Sequence, residues 1–229
     1  MKRGLCHVCW LGKIEYRQAL DLQLGVAAAR AAGAATDTLL LLEHPATYTL
    51  GRRAKKEHLL VSQETLAHQG VAVHRVDRGG DVTFHGPGQL VGYPILDLND
   101  RHRNIIRYVR DLEETMIRAL TSFGVSAGRM SGLPGVWVGD RKIGAVGVRV
   151  NARGITCHGF ALNVTTELEY FERIVPCGIR NKQVTTLALL LNRAVELVQV
   201  AQVVSKSFGQ VFRAEMMDVD PAALHSSFC

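Results

Sequence analysis

The segment of residues 78–89 constrains the fold of this chain most, because it holds four glycines and a proline within twelve residues. A segment this rich in glycine contributes few side chains to a core, and it lets the backbone turn sharply or approach a ligand closely. Two apolar stretches, residues 71–76 and 90–96, flank it and are typical of short strands. We therefore expect a loop between two strands that either makes an irregular turn or lines a binding site.

Length and composition indicate one domain. The chain has 229 residues, of which 47% are hydrophobic, enough for a sizeable core in a single domain of residues 1–229. No apolar run reaches the ~18–20 residues that span a bilayer. The basic first residues are not followed by the long apolar stretch of a secretory signal. We therefore expect a cytoplasmic protein without a membrane segment.

The net charge favours an acidic partner. The formal charge is +6 and the pI is about 9.2, which suits nucleic acid, an anionic membrane surface or an acidic protein. The basic residues are dispersed, apart from residues 52–56, and no nucleic-acid-binding motif or cluster of aromatic residues is recognisable. A non-catalytic nucleic-acid-binding domain is therefore an alternative that rests on charge alone.

The cysteines indicate reduced thiols. Five cysteines are scattered along the chain, and their odd number argues against a disulfide framework. Cys6 and Cys9 have the spacing of half a zinc site, but no second pair completes it, and residues three apart on a strand point to opposite faces. No histidine spacing typical of zinc occurs either. We expect no metal and no cofactor.

The pattern of apolar residues predicts strands that pair locally, with helices between groups of strands. Residues 135–138 and 141–150, separated by Gly139 and Asp140, are typical of a hairpin, and residues 155–162 would add a third strand. The other predicted elements are a strand at residues 38–43 and helices at residues 16–32, 105–123, 185–192 and 195–212. This order predicts an α+β fold with a mixed, mostly antiparallel sheet. A doubly wound fold would need a regular alternation of strands and helices.

Familiar motifs for nucleotides and for serine nucleophiles are missing from the sequence. The glycine segment has the spacing of neither a P-loop nor a dinucleotide-binding loop, and no Gly-x-Ser-x-Gly elbow occurs.

Cys177 is the most suggestive nucleophile, because Pro176 and Gly178 can present its thiol on a loop. The other interpretation of Cys177 is a small apolar residue of the core.

A catalytic cysteine needs a partner that takes its proton, since a free thiol is only slightly ionised at neutral pH. Lys142 is one candidate: by strand alternation it shares a face with Gly144, where partial desolvation would disfavour the ammonium form. The other interpretation is a solvated lysine beside a turn. His44, His85 and His158 are further candidate bases, and each could equally be a structural histidine.

Five segments occur together in the order typical of the lipoyl(octanoyl) transferases. They are residues 42–51, 78–89, 141–149, 158–163 and 175–178. The chain resembles this family over roughly residues 10 to 190. The resemblance implies the α+β fold of the biotin/lipoate protein ligase superfamily, in agreement with the predicted elements.

The resemblance also implies roles for individual residues. Cys177 would be the nucleophile that carries the acyl group as a thioester, and Lys142 would be its partner in proton exchange. The acyl pocket would be lined by Arg78, Gly79, Gly80, Asp81, Val82, Thr83, Phe84, His85, Ala145, Val146, Gly147, Gly159, Phe160 and Ala161.

In this family an octanoyl group moves from acyl carrier protein to the ε-amine of a lysine on lipoyl domains, the first step of endogenous protein lipoylation. The implied acceptors are the lipoyl domains of 2-oxoacid dehydrogenase complexes and the glycine cleavage H protein, and the implied enzyme is a monomer without a cofactor. Acyl carrier protein and lipoyl domains are acidic, which suits the charge of +6.

Two other activities of the same superfamily are alternatives. A lipoate–protein ligase activates the free acid with ATP, and a lipoyl amidotransferase moves acyl groups between carrier proteins. The Pro-Cys-Gly sequence at residues 176–178 argues against a ligase, because a ligase needs no cysteine nucleophile.

Overall fold

The computed structural model describes residues 4–101, 104–175, 183–222 and 224. The strands are β1 (Gly4–Lys13), β2 (Asp37–Glu43), β3 (Thr47–Leu50), β4 (Ala72–Arg75), β5 (Val82–His85), β6 (Gln89–Ile95), β7 (Gly128–Met130), β8 (Leu133–Val138), β9 (Arg141–Val150), β10 (Thr156–Asn163) and β11 (Ala214–Asp218). The helices are α1 (Tyr16–Ala31), α2 (Gln63–His68), α3 (Ile105–Ser122), α4 (Glu169–Glu172), α5 (Leu187–Leu191) and α6 (Leu197–Phe212).

The strands form two sheets. The larger sheet has eight strands in the order β11-β1-β2-β6-β10-β9-β8-β7, and the smaller has three in the order β4-β3-β5. β1 pairs in parallel with both β11 and β2, whereas the other pairings described in the larger sheet are antiparallel. The expected α+β fold with a mixed, mostly antiparallel sheet is therefore confirmed.

Most of the predicted elements are confirmed to within a few residues, including α1, β2, α3, α6, the β8–β9 hairpin and the third strand β10. The expectation of a loop throughout residues 78–89 is wrong, because Val82–His85 forms β5 and pairs with β3. Its β-branched and aromatic side chains favour a strand even between glycines. The described elements without a counterpart in the prediction are β1, β3, β7, β11, α2 and α4.

Apolar clusters cover both faces of the larger sheet. α3 and α6 lie on one face, where Phe160 and Leu162 are buried, and α1 lies on the other, with Leu22 against Leu40. A third cluster, around Tyr48 and Phe84, fills the space beside the smaller sheet. The smaller sheet thus stands on the α1 side with its own core.

Cys6 and Cys9 lie in the clusters on opposite faces of the larger sheet, which confirms the prediction from their spacing. Among the described residues, no group of histidine, cysteine, aspartate and glutamate side chains is arranged to hold a metal ion. In the same part of the chain, no helix has the length and apolar character needed to cross a membrane.

Candidate active site

A cavity lies between the two sheets. Strands β6, β9 and β10 form one wall, and the glycine segment with β5 forms the other. The predicted residues that line it are Lys142, Arg78, Gly80, Asp81, Val82, Thr83, His85, Ala145, Val146, Gly147, Gly159, Phe160 and Ala161. The side chains of Val146 and Phe160 pack in the cluster on the opposite face of the sheet, although both residues border the cavity.

Gly79 and Phe84 are the two described pocket candidates that do not line this cavity. The ring of Phe84 stacks on Tyr170 with 4.4 Å between the ring centroids, inside the cluster of the smaller sheet. The amide of Gly79 donates to the carbonyl of Val148 at 2.9 Å and so attaches the glycine segment to β9.

Small residues form the wall that belongs to the larger sheet. Ala145 pairs with Ala161 across β9 and β10, and Gly147 pairs with Gly159 two residues further along. Residues two apart on a strand face the same side. The two pairs therefore leave a continuous apolar space where larger side chains would fill the gap between the sheets.

Lys142 reaches the cavity because of an irregularity in the hairpin. Val136 pairs with Gly144, but Trp137 pairs with Lys142, so β9 has one extra residue at Ile143. Such a bulge interrupts the alternation of side chains. The prediction that Lys142 shares a face with Gly144 is therefore wrong: Gly144 contacts Met116 of α3, whereas Lys142 lines the cavity with its Nζ 5.4 Å from the centroid of the Trp137 ring.

Gly135 makes room for the lysine side chain. Its φ is +119°, and a Cβ at this position would lie 2.6 Å from Cε and 3.1 Å from Nζ of Lys142. Any other residue would displace the side chain of Lys142 or strain the strand. Gly135 is thus a position that the sequence analysis did not connect with the site.

Cys177 lies outside the described residues, and the chain on both sides of it meets the site. Before it, the amide of Val175 donates to the carbonyl of His58 at 2.9 Å. After it, the carbonyl of Gln183 accepts from the amide of Lys142 at 2.9 Å, and the amide of Thr185 donates to the carbonyl of Lys142 at 2.9 Å. Gln183 and Thr185, which follow that segment in the chain, are therefore hydrogen-bonded to the backbone of the residue predicted as the partner of Cys177.

Arg78 joins the two sheets beside the cavity. It is buried, and its guanidinium donates to the hydroxyl and the carbonyl of Thr49 on β3, and to the carbonyl of Gly79. A Cβ on Gly51 would lie 2.7 Å from Nη1 of Arg78, and a Cβ on Gly147 would lie 3.1 Å from its Cδ. Arg78 is held rigidly, and its neighbours are small because its side chain occupies the space.

Asp81 lies close to the imidazole of His58. Nδ1 of His58 is 2.6 Å from one carboxylate oxygen of Asp81, although the contact is too poorly aligned for a hydrogen bond. The other oxygen accepts from the amide of Val82 at 2.7 Å. Because the His58 carbonyl also holds Val175, this contact connects the cavity wall to the chain that leads to Cys177.

His85 is a neutral, oriented histidine. Its Nδ1 donates to Oε1 of Gln89 at 2.7 Å, and Nε2 of Gln89 donates to Phe84 and Asn163, which fixes the orientation of the amide. Burial lowers the pKa of His85 to about 3. Its Nε2 is consequently a lone-pair acceptor at neutral pH.

The sequence analysis missed four polar residues of the lining: Tyr16, Gln89, Tyr93 and Asn163. Gln89 and Asn163 end two of the matching segments, a signal that could have singled them out. Buried tyrosines are ordinary core residues, so nothing marked Tyr16 or Tyr93. Burial raises the pKa of Tyr16 to about 12 and that of Tyr93 well above its usual value, so both phenols stay protonated.

A model of the lipoyl protein ligase A/B catalytic domain matches residues 15–209, a range that includes the cavity and Lys142. An octanoyltransferase from Solibacter usitatus is 50% identical over 212 residues, which cover 93% of this chain and 95% of the relative. An octanoyltransferase from Chloroflexus aurantiacus is also 50% identical, over 91% of this chain and 94% of the relative. Within the lipoyl protein ligase A/B domains, the chain therefore belongs to the octanoyltransferase family of acyltransferases.

Solved structures share the fold at low sequence identity. A lipoate-protein ligase A bound with ATP superposes with a TM-score of 0.81 at 17% identity, over 97% of this chain and 92% of the other. A lipoate protein ligase from Thermoplasma acidophilum with bound lipoic acid gives 0.79 at 16% identity, over the same shares. A biotin protein ligase from Aquifex aeolicus gives 0.55 over 90% of this chain and 70% of the other. The superfamily fold implied by the sequence is confirmed.

Proposed function

We propose that this octanoyltransferase moves an octanoyl group from acyl carrier protein to the ε-amine of a lipoyl-domain lysine, through a thioester on Cys177. The observation that supports this most is the position of Lys142, at one end of an apolar cavity and hydrogen-bonded to Gln183 beyond Cys177 in the chain. The cavity would take the alkyl chain, and Lys142 would handle the proton. The whole chain, residues 1–229, would act as one catalytic domain.

In the first half-reaction Lys142 accepts the proton of the Cys177 thiol. The thiolate attacks the carbonyl carbon of the octanoyl thioester, a new S–C bond forms, and the S–C bond to the carrier breaks. The departing thiolate of the carrier takes the proton from Lys142. One thioester replaces another, so the step needs no ATP and no redox partner.

In the second half-reaction the lysine amine of the lipoyl domain attacks the acyl-enzyme. A C–N bond forms, the C–S bond to Cys177 breaks, and neutral Lys142 takes the proton that the nitrogen loses. A free lysine is mostly protonated at neutral pH, so the acceptor first gives one proton to solvent and attacks as the neutral amine; the proton that Lys142 takes is the second one, which the nitrogen loses as the amide forms. The donor and the acceptor use one site in turn, which predicts ping-pong kinetics.

The proposed partners are acidic proteins. Acyl carrier protein would be the donor, and the acceptors would be lipoyl domains of 2-oxoacid dehydrogenase complexes and the glycine cleavage H protein. The net charge of +6 supports encounters with such partners. We also propose that the enzyme is a cytoplasmic monomer.

Mass spectrometry tests the intermediate. After incubation with octanoyl-carrier protein, an octanoyl adduct should appear on a peptide that contains Cys177, and an apo lipoyl domain should remove it. Cys177→Ala should show no adduct and no transfer, while Cys229→Ser serves as the matched control with another thiol removed. Wild-type transfer by Cys177→Ala would disprove the covalent mechanism.

Lys142→Ala tests the proton acceptor. We expect both half-reactions to slow by about 10²–10⁴-fold, the usual contribution of a general acid–base. Alkylation of Cys177 by iodoacetamide should slow as well at neutral pH, because less thiolate is present. If the rate of Cys177 alkylation were unchanged, Lys142 would not be the group that deprotonates Cys177, even if transfer were slow.

ATP dependence separates the proposal from a ligase. The transferase should acylate a lipoyl domain from octanoyl-carrier protein at the same rate with and without ATP. Formation of an acyl-adenylate from free octanoate and ATP would favour the ligase alternative instead.

A further inference from the structure

The two ends of the cavity differ in chemistry. Lys142 lies at one end, and the pair Gly147–Gly159 lies five residues along β9 from it, on the order of 16 Å in an extended strand. Gly92 of β6 pairs with Phe160, so the next residue, Tyr93, lies level with the Gly147–Gly159 pair. On the wall that belongs to the larger sheet, the stretch between the ends is lined by the alanine and glycine pairs and is apolar.

Polar side chains line the far end. The hydroxyl of Tyr93 donates to Nε2 of His44 at 2.8 Å, because Nδ1 of His44 already donates to a backbone carbonyl at 2.7 Å. Tyr16 lines the same end, and its phenol is within electrostatic reach of Arg78 and Asp77. Tyr16, Tyr93, Arg78 and His158, here called the polar end, are each at least nine-tenths buried.

His158, at this end, has a ring nitrogen without a hydrogen-bond partner among the described residues. Its φ is +58°, a left-handed conformation that costs energy for a non-glycine residue. Its amide donates to Oε1 of Gln23 at 2.8 Å, and its Nε2 lies 2.9 Å from Oδ1 of Asp77. Within the described part of the chain, Nδ1 of this 2% exposed residue has no hydrogen-bond partner. The strained backbone thus places this histidine in the lining of the cavity.

We propose that the polar end determines acyl chain length: an octanoyl chain ends in the alanine and glycine stretch, and a longer chain must press methylene groups against Tyr16, Tyr93, Arg78 and His158. Buried polar groups that lose their hydrogen-bonding environment to alkyl carbon are costly. The limit on length is then set by polarity as well as by space. This inference rests on the proposed function, with the thioester at the Lys142 end.

Tyr16→Phe tests the inference, because it removes the hydroxyl and keeps the ring. Transfer of hexanoyl, octanoyl, decanoyl and dodecanoyl groups from carrier protein would be measured as kcat/KM for the full-length wild type and variant. We expect the decanoyl-to-octanoyl ratio to rise about tenfold, the effect of one buried polar group. Tyr108→Phe is the matched control, since Tyr108 is a buried tyrosine on the other face of the sheet, and its ratio should equal that of the wild type.

Ala145→Val separates polarity from space. It narrows the apolar stretch, so octanoyl and decanoyl transfer should both fall relative to hexanoyl transfer, in contrast to Tyr16→Phe. If Tyr16→Phe does not fold, Tyr93→Phe should shift the ratio in the same direction. Calorimetric binding of octanoate and decanoate gives a second readout, with the decanoate affinity rising selectively in the tyrosine variants.

The outcomes distinguish the two proposals. A wild type that does not transfer octanoyl groups at all contradicts the proposed function. A wild type that does, together with unchanged length ratios and unchanged decanoate affinity in folded Tyr16→Phe or Tyr93→Phe, overturns the polar end as a determinant of length and leaves the proposed function intact.

Discussion

The two faces of the β9–β10 pair are built from residues of opposite size. Toward α3 and α6 the pair presents large apolar side chains, namely Val148, Phe160 and Leu162. Toward the smaller sheet it presents Ala145, Gly147, Gly159 and Ala161, which line the cavity. Because successive residues of a strand point to opposite sides, one stretch of chain stabilises the fold with every second residue and leaves room for a ligand with the others.

The faces differ in polarity as well. The side toward the smaller sheet contains three buried histidines, His44, His85 and His158, in contact with two buried tyrosines, Tyr16 and Tyr93. Burial lowers the pKa of each of these histidines. Stability therefore depends mainly on the helix-covered face, whereas the proposed acyl site and the sensitivity to acid belong to the cavity face.

The largest effect of a single substitution on stability should come from the helix-covered face. Leu162→Ala removes a fully buried side chain and should lower the free energy of unfolding by about 2–5 kcal/mol. Urea denaturation measures it, and Val198→Ala, at a site 48% exposed on α6, is the control that should change stability little. A loss below about 1 kcal/mol for Leu162→Ala would contradict the division of roles.

The next prediction is that acid destabilises the fold through the buried histidines of the cavity face. Burial lowers the pKa of His85 to about 3 and that of His44 to about 4, below the ordinary value near 6.5. Below pH 6.5 the unfolded chain binds protons that the folded chain does not. Stability is therefore complete above pH 6.5 and falls as the pH drops toward 4, by up to about 1.4 kcal/mol per pH unit for each histidine.

Unfolding free energies at pH 7, 6 and 5 for the wild type and His85→Gln check this expectation. The variant should be less stable at pH 7 because its hydrogen bond to Gln89 is altered, but its stability should fall less steeply with acid. Parallel pH profiles for the two proteins would show that His85 is protonated equally in the folded and unfolded states.

The smallest effect on stability should come from filling the cavity. Ala145→Leu places a larger side chain in empty space, so the free energy of unfolding should change by less than about 1.5 kcal/mol. Octanoyl transfer should nevertheless fall by about tenfold or more, because the added atoms occupy the proposed acyl path. Val150→Leu on the same strand is the control for added side-chain volume. Equal octanoyl-transfer activity of the two variants would show that Ala145 does not line the acyl site.

Sequence reasoning recovered the elements whose signals are local. The turn at Gly139 and Asp140 between two apolar runs was enough to predict the β8–β9 hairpin. The extra residue at Ile143 depends on how β9 pairs with β8, so alternation alone placed Lys142 on the wrong face. The left-handed backbone of His158 could not be predicted from the sequence either, because no local pattern marks a non-glycine residue for that conformation.

The lining of the cavity was predicted only in part for a related reason. Arg78, His85 and Lys142 lie in segments with a family pattern, so they could be found. Tyr16 and Tyr93 come from α1 and β6 and meet only when the helix packs on the larger sheet. Their contribution is a property of the packed structure, which residue type and spacing do not encode.

The pairing of β1 with β11 has a consequence for biosynthesis. Gly4 is aligned with Ala214, so one edge of β1 is covered by a strand that is synthesised about two hundred residues later. At about 5–20 residues per second, that edge stays unpaired for on the order of ten seconds or more while the chain leaves the ribosome. An open strand edge invites pairing with other chains. Nascent chains that stall before residue 214 should therefore depend most on chaperones, even though their cavity residues have already been synthesised.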